Sequence, residues 1–118
     1  MSTAVSVALD SLEWETVDAL VQKKVVDGAS MTMTRYSFKP GGRFPHHVHE
    51  QEQMTMVVAG RLTFLVDGVD HVLEVGSLVV IPSGVPHSAE AGPEGAEVVS
   101  FVSPARTEGR GISMLEEE

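Results

Sequence analysis

The chain has 118 residues, 42% of them hydrophobic, with 17 acidic side chains against 8 basic ones, a formal charge of −9 and no cysteine. This length supports one domain. The acid surplus argues against a nucleic-acid module and against an anionic membrane surface, since both need a lysine and arginine excess, and the missing cysteines exclude disulfides and thiolate zinc sites while fitting a cytoplasmic setting.

A core this small gains from a partner that covers its remaining apolar surface, so a homodimer is expected. The opening MSTAVSVALD lacks a basic region and a continuous apolar stretch, so no secretory signal is expected. The longest aliphatic runs, such as Leu78 to Ile81, are too short to cross a bilayer.

In chain order, residues 1–30 are expected to form an amino-terminal arm with a short turn around Leu12 and Trp14 and an edge strand at 20–26. Trp14 is expected to pack a partner or the edge of the main body. Residues 31–38 (MTMTRYSF) and 61–66 (RLTFLV) alternate apolar and polar, and 97–102 (EVVSFV) carries branched and aromatic residues, the signature of strands. The alternation assigns Met31, Met33, Met54, Met56 and Phe64 to core or dimer-interface packing. Asp27-Gly28, Pro40-Gly41-Gly42, Asp67-Gly68 and Gly92-Pro93 supply turns, and Asp67-Gly68 between two alternating runs predicts a tight hairpin. Strand returns this frequent predict an all-β sandwich or barrel over residues 31–106. Residues 107–118 are glycine-rich, end in Glu116, Glu117 and Glu118, and are expected to form a solvated acidic tail.

Of the five histidines, three stand at 46, 47 and 49. His47 and His49 are two apart, so on a strand both side chains leave one face and can reach a single metal ion. Gln53 shares that parity and offers an amide oxygen. His87 follows the rigid turn Pro82-Ser83-Gly84-Val85-Pro86, which can aim its ring at the same point from a second strand. A His-x-His pair alone is equally compatible with a surface or packing role. His46 has the opposite parity unless the chain bends at Pro45, and His71, just after the hairpin, reads as a surface residue.

The punctuation around these histidines is more specific. Gly41, His47, His49, Gln53 and Gly60 follow the spacing G-x5-H-x-H-x3-E-x6-G, with glutamine at the glutamate position. Gly76, Pro82, Gly84 and His87 follow G-x5-P-x-G-x2-H-x3-N, with Ala91 at the asparagine position, and 15 residues separate the two motifs. The chain thereby resembles the cupin superfamily over roughly residues 31–103. The resemblance implies an antiparallel jelly-roll β-barrel holding a divalent transition metal (Zn, Mn, Ni, Fe or Cu) at His47, His49, Gln53 and His87. HVHEQEQ at 47–53, VGSLVVIPSGVPHSA at 75–89 and FVSPAR at 101–106 resemble more narrowly the small single-domain cupins of the pectin-degradation and polyketide-cyclase type. In the pectin-degradation type, a closing segment supplies an aspartate, a phenylalanine and an arginine to the chemistry. Arg106 fills the arginine position here, Ser100 stands at the aspartate position, and Val102 stands at that of the phenylalanine.

Three imidazoles and one amide would leave the full charge of a divalent ion in place, which favours Lewis-acid chemistry over oxygen activation. The leading expectation is isomerisation, lyase or cyclisation chemistry on a small oxygen-rich substrate such as a sugar acid or a polyketide. Arg106 is expected to hold a substrate carboxylate by a two-pronged hydrogen bond. Gln53 is not a base, so a proton-transfer group must come from His46, Glu52 or Tyr36. Of Glu50 and Glu52, one is expected to be solvated and one to orient a ligand histidine. The alternatives are a metal-dependent dioxygenase and a ligand-binding domain without turnover.

Overall fold

The computed structural model describes residues 4–106 and 112–114. A short 3-10 turn at Leu9–Ser11 leads into strands β1 (Glu15–Asp18), β2 (Val21–Asp27), β3 (Thr32–Phe38) and β4 (Arg43–His49). They are followed by β5 (Glu52–Val66), β6 (Val69–Glu74), β7 (Leu78–Ile81), β8 (His87–Ser103) and β9 (Ile112–Met114). Every pairing is antiparallel. One path runs β1-β2-β3-β8-β4-β9, while β5 pairs with β6, β7 and β8.

Two long strands close the barrel. β8 runs 17 residues and serves β3, β4 and β5 in turn, and β5 runs 15 residues and serves β6, β7 and β8. Strands of this length must bend to belong to two sheets, and β5 does so at register irregularities between Val57 and Ala59 and between Gly60 and Leu62. The result is a jelly-roll β-barrel. Its floor is an apolar core that includes Val57, Leu62, Phe64, Ile81, Ala91 and Val98.

The predicted hairpin forms: Val66 pairs with Val69 across Asp67 and Gly68, both at positive φ (48° and 81°), as a type I′ turn requires. A strand forms where one was expected at 20–26, but β1 pairs along its other side, so β1 rather than β2 is the edge strand; Lys24 Nζ on β2 lies 4.6 Å from the centroid of the Trp14 ring. His71 is exposed. Part of the expected acidic tail, Ile112–Met114, pairs with β4, and the rest of that tail lies outside the described residues. Among the described residues no helix is long and apolar enough to cross a membrane.

In β3 and the first half of β5 the alternation turns the methionines away from the core, the first of the two places expected for them. Met31, Met54 and Met56 point outward and are exposed, whereas Thr32, Thr34 and Thr55 point inward and are buried. Of the five residues assigned to packing, Phe64 alone joins the buried core.

Candidate metal centre

The site lies at one end of the barrel, where β4, β5 and β8 converge. Between Phe44 and His47 the register of β4 against β8 slips: Phe44 faces Ala89 and His47 faces His87, so three steps on β4 match two on β8. This bulge spans Pro45 and His46 and turns both Phe44 and His47 toward the interior, their rings 4.6 Å apart. His49 follows on the same face of β4, and the short turn after it carries Gln53 into β5. The ring centroids of His47 and His87 lie 4.2 Å apart, those of His49 and His87 4.9 Å, and those of His47 and His49 5.6 Å. One ring nitrogen from each of the three lies within 4.8 Å of the others.

Backbone carbonyls decide which nitrogens those are. His47 Nδ1 donates to the Pro45 carbonyl at 2.7 Å, His49 Nδ1 to that of Gln51 at 3.0 Å, and His87 Nδ1 to that of Val85 at 2.9 Å. A neutral imidazole with its proton on Nδ1 carries a lone pair on Nε2, so three Nε2 lone pairs converge. His87 Nε2 is buried without any partner among the described residues. The rings are also held neutral. Burial first, and the neighbouring His87 second, lower His47 from its ordinary 6.5 to about 3. Burial, with His49 and Arg106 adding to it, lowers His87 to about 4. His49 shifts in the same direction, through burial and then Arg106. Carbonyls rather than a carboxylate orient the ligand histidines; Glu50 and Glu52 are both exposed, which corrects the expectation that one of them would do so.

Gln53 completes the set. Its Oε1 lies 3.0 Å from His49 Nε2, and its Nε2 donates to Thr55 Oγ1 at 2.8 Å. Thr55 Oγ1 in turn lies 2.6 Å from Ser100 Oγ. Three imidazole nitrogens and an amide oxygen facing one point are a donor set that fits a borderline divalent ion.

The adjoining cavity is lined by His47, Gln53, Tyr36, Ser100 and Arg106 over an apolar floor, and no carboxylate among the described residues lines it. Its narrow interior, about 30 Å³, admits roughly one water-sized group, so only the end of a ligand reaches the histidines. Arg106 is anchored by its backbone N–H, which donates to Thr32 Oγ1 at 2.8 Å, and its buried Nε has no partner among the described residues. The structure therefore gathers His47, His49, Gln53, His87 and Arg106 around one space. Of the three groups named for proton transfer, Tyr36 alone lines it. Sequence reasoning missed Thr55 as part of the site and gave Ser100 no role of its own. The parity that selected Gln53 from His49 selects Thr55 from Gln53, and Ser100 lies opposite Thr55 in the β5–β8 register.

The model of the cupin domain matches residues 34–102. A search of curated protein sequences found no match. Among solved structures, KdgF from a Halomonas species superposes with a TM-score of 0.85 at 24% identity, over 91% of this chain and 99% of that one. An RmlC-like cupin from Shewanella frigidimarina gives 0.81 at 27% identity, over 92% and 96%. An oxalate decarboxylase variant from Bacillus subtilis gives 0.82 at 18% identity over 98% of this chain and 34% of that one. With the family model covering more than half of the chain and both motifs built into one site, the chain belongs to the cupin family.

Proposed function

We propose that the protein is a metal-dependent enzyme that uses a divalent ion as a Lewis acid for isomerisation, lyase or cyclisation chemistry on a small, anionic, oxygen-rich substrate, a sugar acid or a polyketide-like compound. One observation carries the reading: three Nε2 lone pairs and the Gln53 oxygen converge on one point. A bound divalent ion would supply polarisation of a substrate carbonyl or enolate oxygen. The chain's own residues do the rest. Arg106 offers a buried N–H, unpartnered among the described residues, to a substrate carboxylate. The apolar floor excludes water from beneath the ligand's reacting end. Tyr36 is the titratable side chain placed to move a proton, because Gln53 replaces the carboxylate that could have done so.

The test is metal content by plasma mass spectrometry, on protein purified without a chelating tag. Near-stoichiometric metal in the wild type and its loss in His49→Ala support the reading. Metal-free protein that takes none up on dialysis against zinc, manganese or nickel overturns it.

A second reading, ligand binding without turnover, is favoured by a cavity lining that holds no carboxylate among the described residues. It predicts that a bound ligand is recovered chemically unchanged. Under either reading we propose a homodimer, supported by a largely apolar outer face on β7, β5, β8 and β3.

A further inference from the structure

The hydrogen-bond chain from Gln53 through Thr55 to Ser100 has a direction. The amide nitrogen of Gln53 can only donate, so Thr55 Oγ1 accepts from it at 2.8 Å. Thr55 has one hydroxyl proton, is 1% exposed, and among the described residues has a single other partner, Ser100 Oγ at 2.6 Å. Were Ser100 to donate to Thr55, the Thr55 proton would be buried with nothing to receive it, at the cost of an unmade hydrogen bond. The chain therefore runs Gln53→Thr55→Ser100 in the donor-to-acceptor sense. The Ser100 proton is left over, and Ser100 lines the same cavity as Arg106.

Resting on the reading above that this cavity takes an anion, we infer that Ser100 is a second anion-binding donor beside Arg106, switched into its donor state by the amide at position 53. The pair presents N–H and O–H to one small carboxylate, with no carboxylate among the described residues of the cavity lining competing for it. A carboxylate at position 53 would reverse the chain. It could only accept, Thr55 would donate to it, and the Ser100 proton would turn inward to Thr55, leaving a lone pair facing the cavity. The glutamine thus does more than leave the metal's charge in place, because it also sets the polarity of a side chain two hydrogen bonds away. Thr55 is the positioning residue: it accepts from the amide nitrogen while the amide oxygen faces His49.

The experiment titrates trifluoroacetate, followed by fluorine NMR, into the zinc-loaded wild type and variants, with zinc content measured on each sample. Ser100→Ala is expected to keep its zinc and lose about tenfold in trifluoroacetate affinity, the size of one hydrogen bond to a charged group. Ser100→Thr, which keeps the hydroxyl, is expected to stay within about twofold of wild type. Gln53→Glu is expected to keep zinc and to lose affinity both by its added charge and by the reversed chain, so that adding Ser100→Ala to it costs nothing further. Thr55→Val is expected to weaken zinc binding about 10- to 100-fold, as removal of a ligand's orienting partner does. Unchanged affinity in Ser100→Ala, or a further tenfold loss when Ser100→Ala is added to Gln53→Glu, overturns the inference while leaving the metal reading intact. Wild type that takes up no zinc overturns the metal reading, and a loss of trifluoroacetate affinity in metal-free Ser100→Ala would still uphold the donor role of Ser100.

Discussion

His49 Nε2 and Gln53 Oε1 stand 3.0 Å apart although His49 Nδ1 already donates its proton to the Gln51 carbonyl. In the neutral ring this sets a nitrogen lone pair against an oxygen lone pair, and a cation between them turns the conflict into two coordinate bonds. Metal binding is therefore expected to raise stability by mass action. At free zinc about 100 times its dissociation constant the gain is about 2.7 kcal/mol, which for a domain of this size raises Tm by on the order of 10 °C. Calorimetric scans with zinc and with a chelator check this, and His49→Ala is expected to abolish the difference.

The neutral histidines predict the pH dependence of the metal-free protein. In the unfolded chain each titrates near 6.5, whereas folding lowers His47 to about 3 and His87 to about 4. Below pH 6.5 the unfolded state binds protons that the folded state refuses, so stability falls as pH falls. The loss runs from about pH 6.5 down to the folded values and flattens below about pH 3, while above about pH 7 these groups contribute no slope. Urea unfolding of chelator-treated protein at about pH 7.5, 6 and 5 is expected to show the midpoint falling in that order. A His47→Gln, His87→Gln double variant is expected to lose most of the slope.

Where the barrel bends, Gly60 on β5 passes so close to Gly95 on β8 that a Cβ on Gly60 would collide with the Gly95 carbonyl oxygen, and Gly60 itself sits at φ +73°. Gly60→Ala combines a backbone clash with a left-handed conformation and is expected to destabilise by about 3–5 kcal/mol. Gly68, at φ +81° but with nothing within 4 Å of an added Cβ, isolates the conformational cost. Gly68→Ala is expected to cost about 1–2 kcal/mol. Chemical denaturation of the two variants side by side checks the ranking.

Most of the candidate metal centre was legible because it depends on spacing that a strand converts directly into direction: His47, His49 and Gln53 share a parity, and Pro82 to Pro86 return His87 to the same end. The lining of the cavity was not. Threonine suits either face of a strand, so the alternation Met31-Thr32-Met33-Thr34 fixes a period and leaves its phase open. Placing apolar residues inside is right for a filled core and wrong for the mouth of a barrel that needs hydrogen-bond donors. The sequence offers a bend at Pro45 only as an alternative, because the bulge at Pro45 and His46 depends on the register of β4 against β8.

The methionines displaced from the interior form the basis of a last prediction. Met54 sits between Val80 and Phe101 in register, Met56 between Leu78 and Val99, and Phe101 opposite Met33, so one apolar face crosses β7, β5, β8 and β3. Met54 is 47% exposed, Phe101 44% and Leu78 52%. A contiguous apolar face of this kind is where soluble chains pair. Arg35 and Glu97 beside it are paired at 2.8 Å and cancel, which leaves the exposed Glu52, two residues before Met54, at its rim. On a chain of net charge −9, a second copy meets least repulsion where the surface carries the least net charge. The same face on both subunits then meets about a two-fold axis. Light scattering is expected to give twice the 12.6 kDa chain mass for the wild type. The double variant Met54→Glu, Phe101→Glu is expected to run as a monomer that still binds zinc, since both side chains point away from the histidines. A wild type that stays monomeric at millimolar concentration would remove this face as a dimer interface.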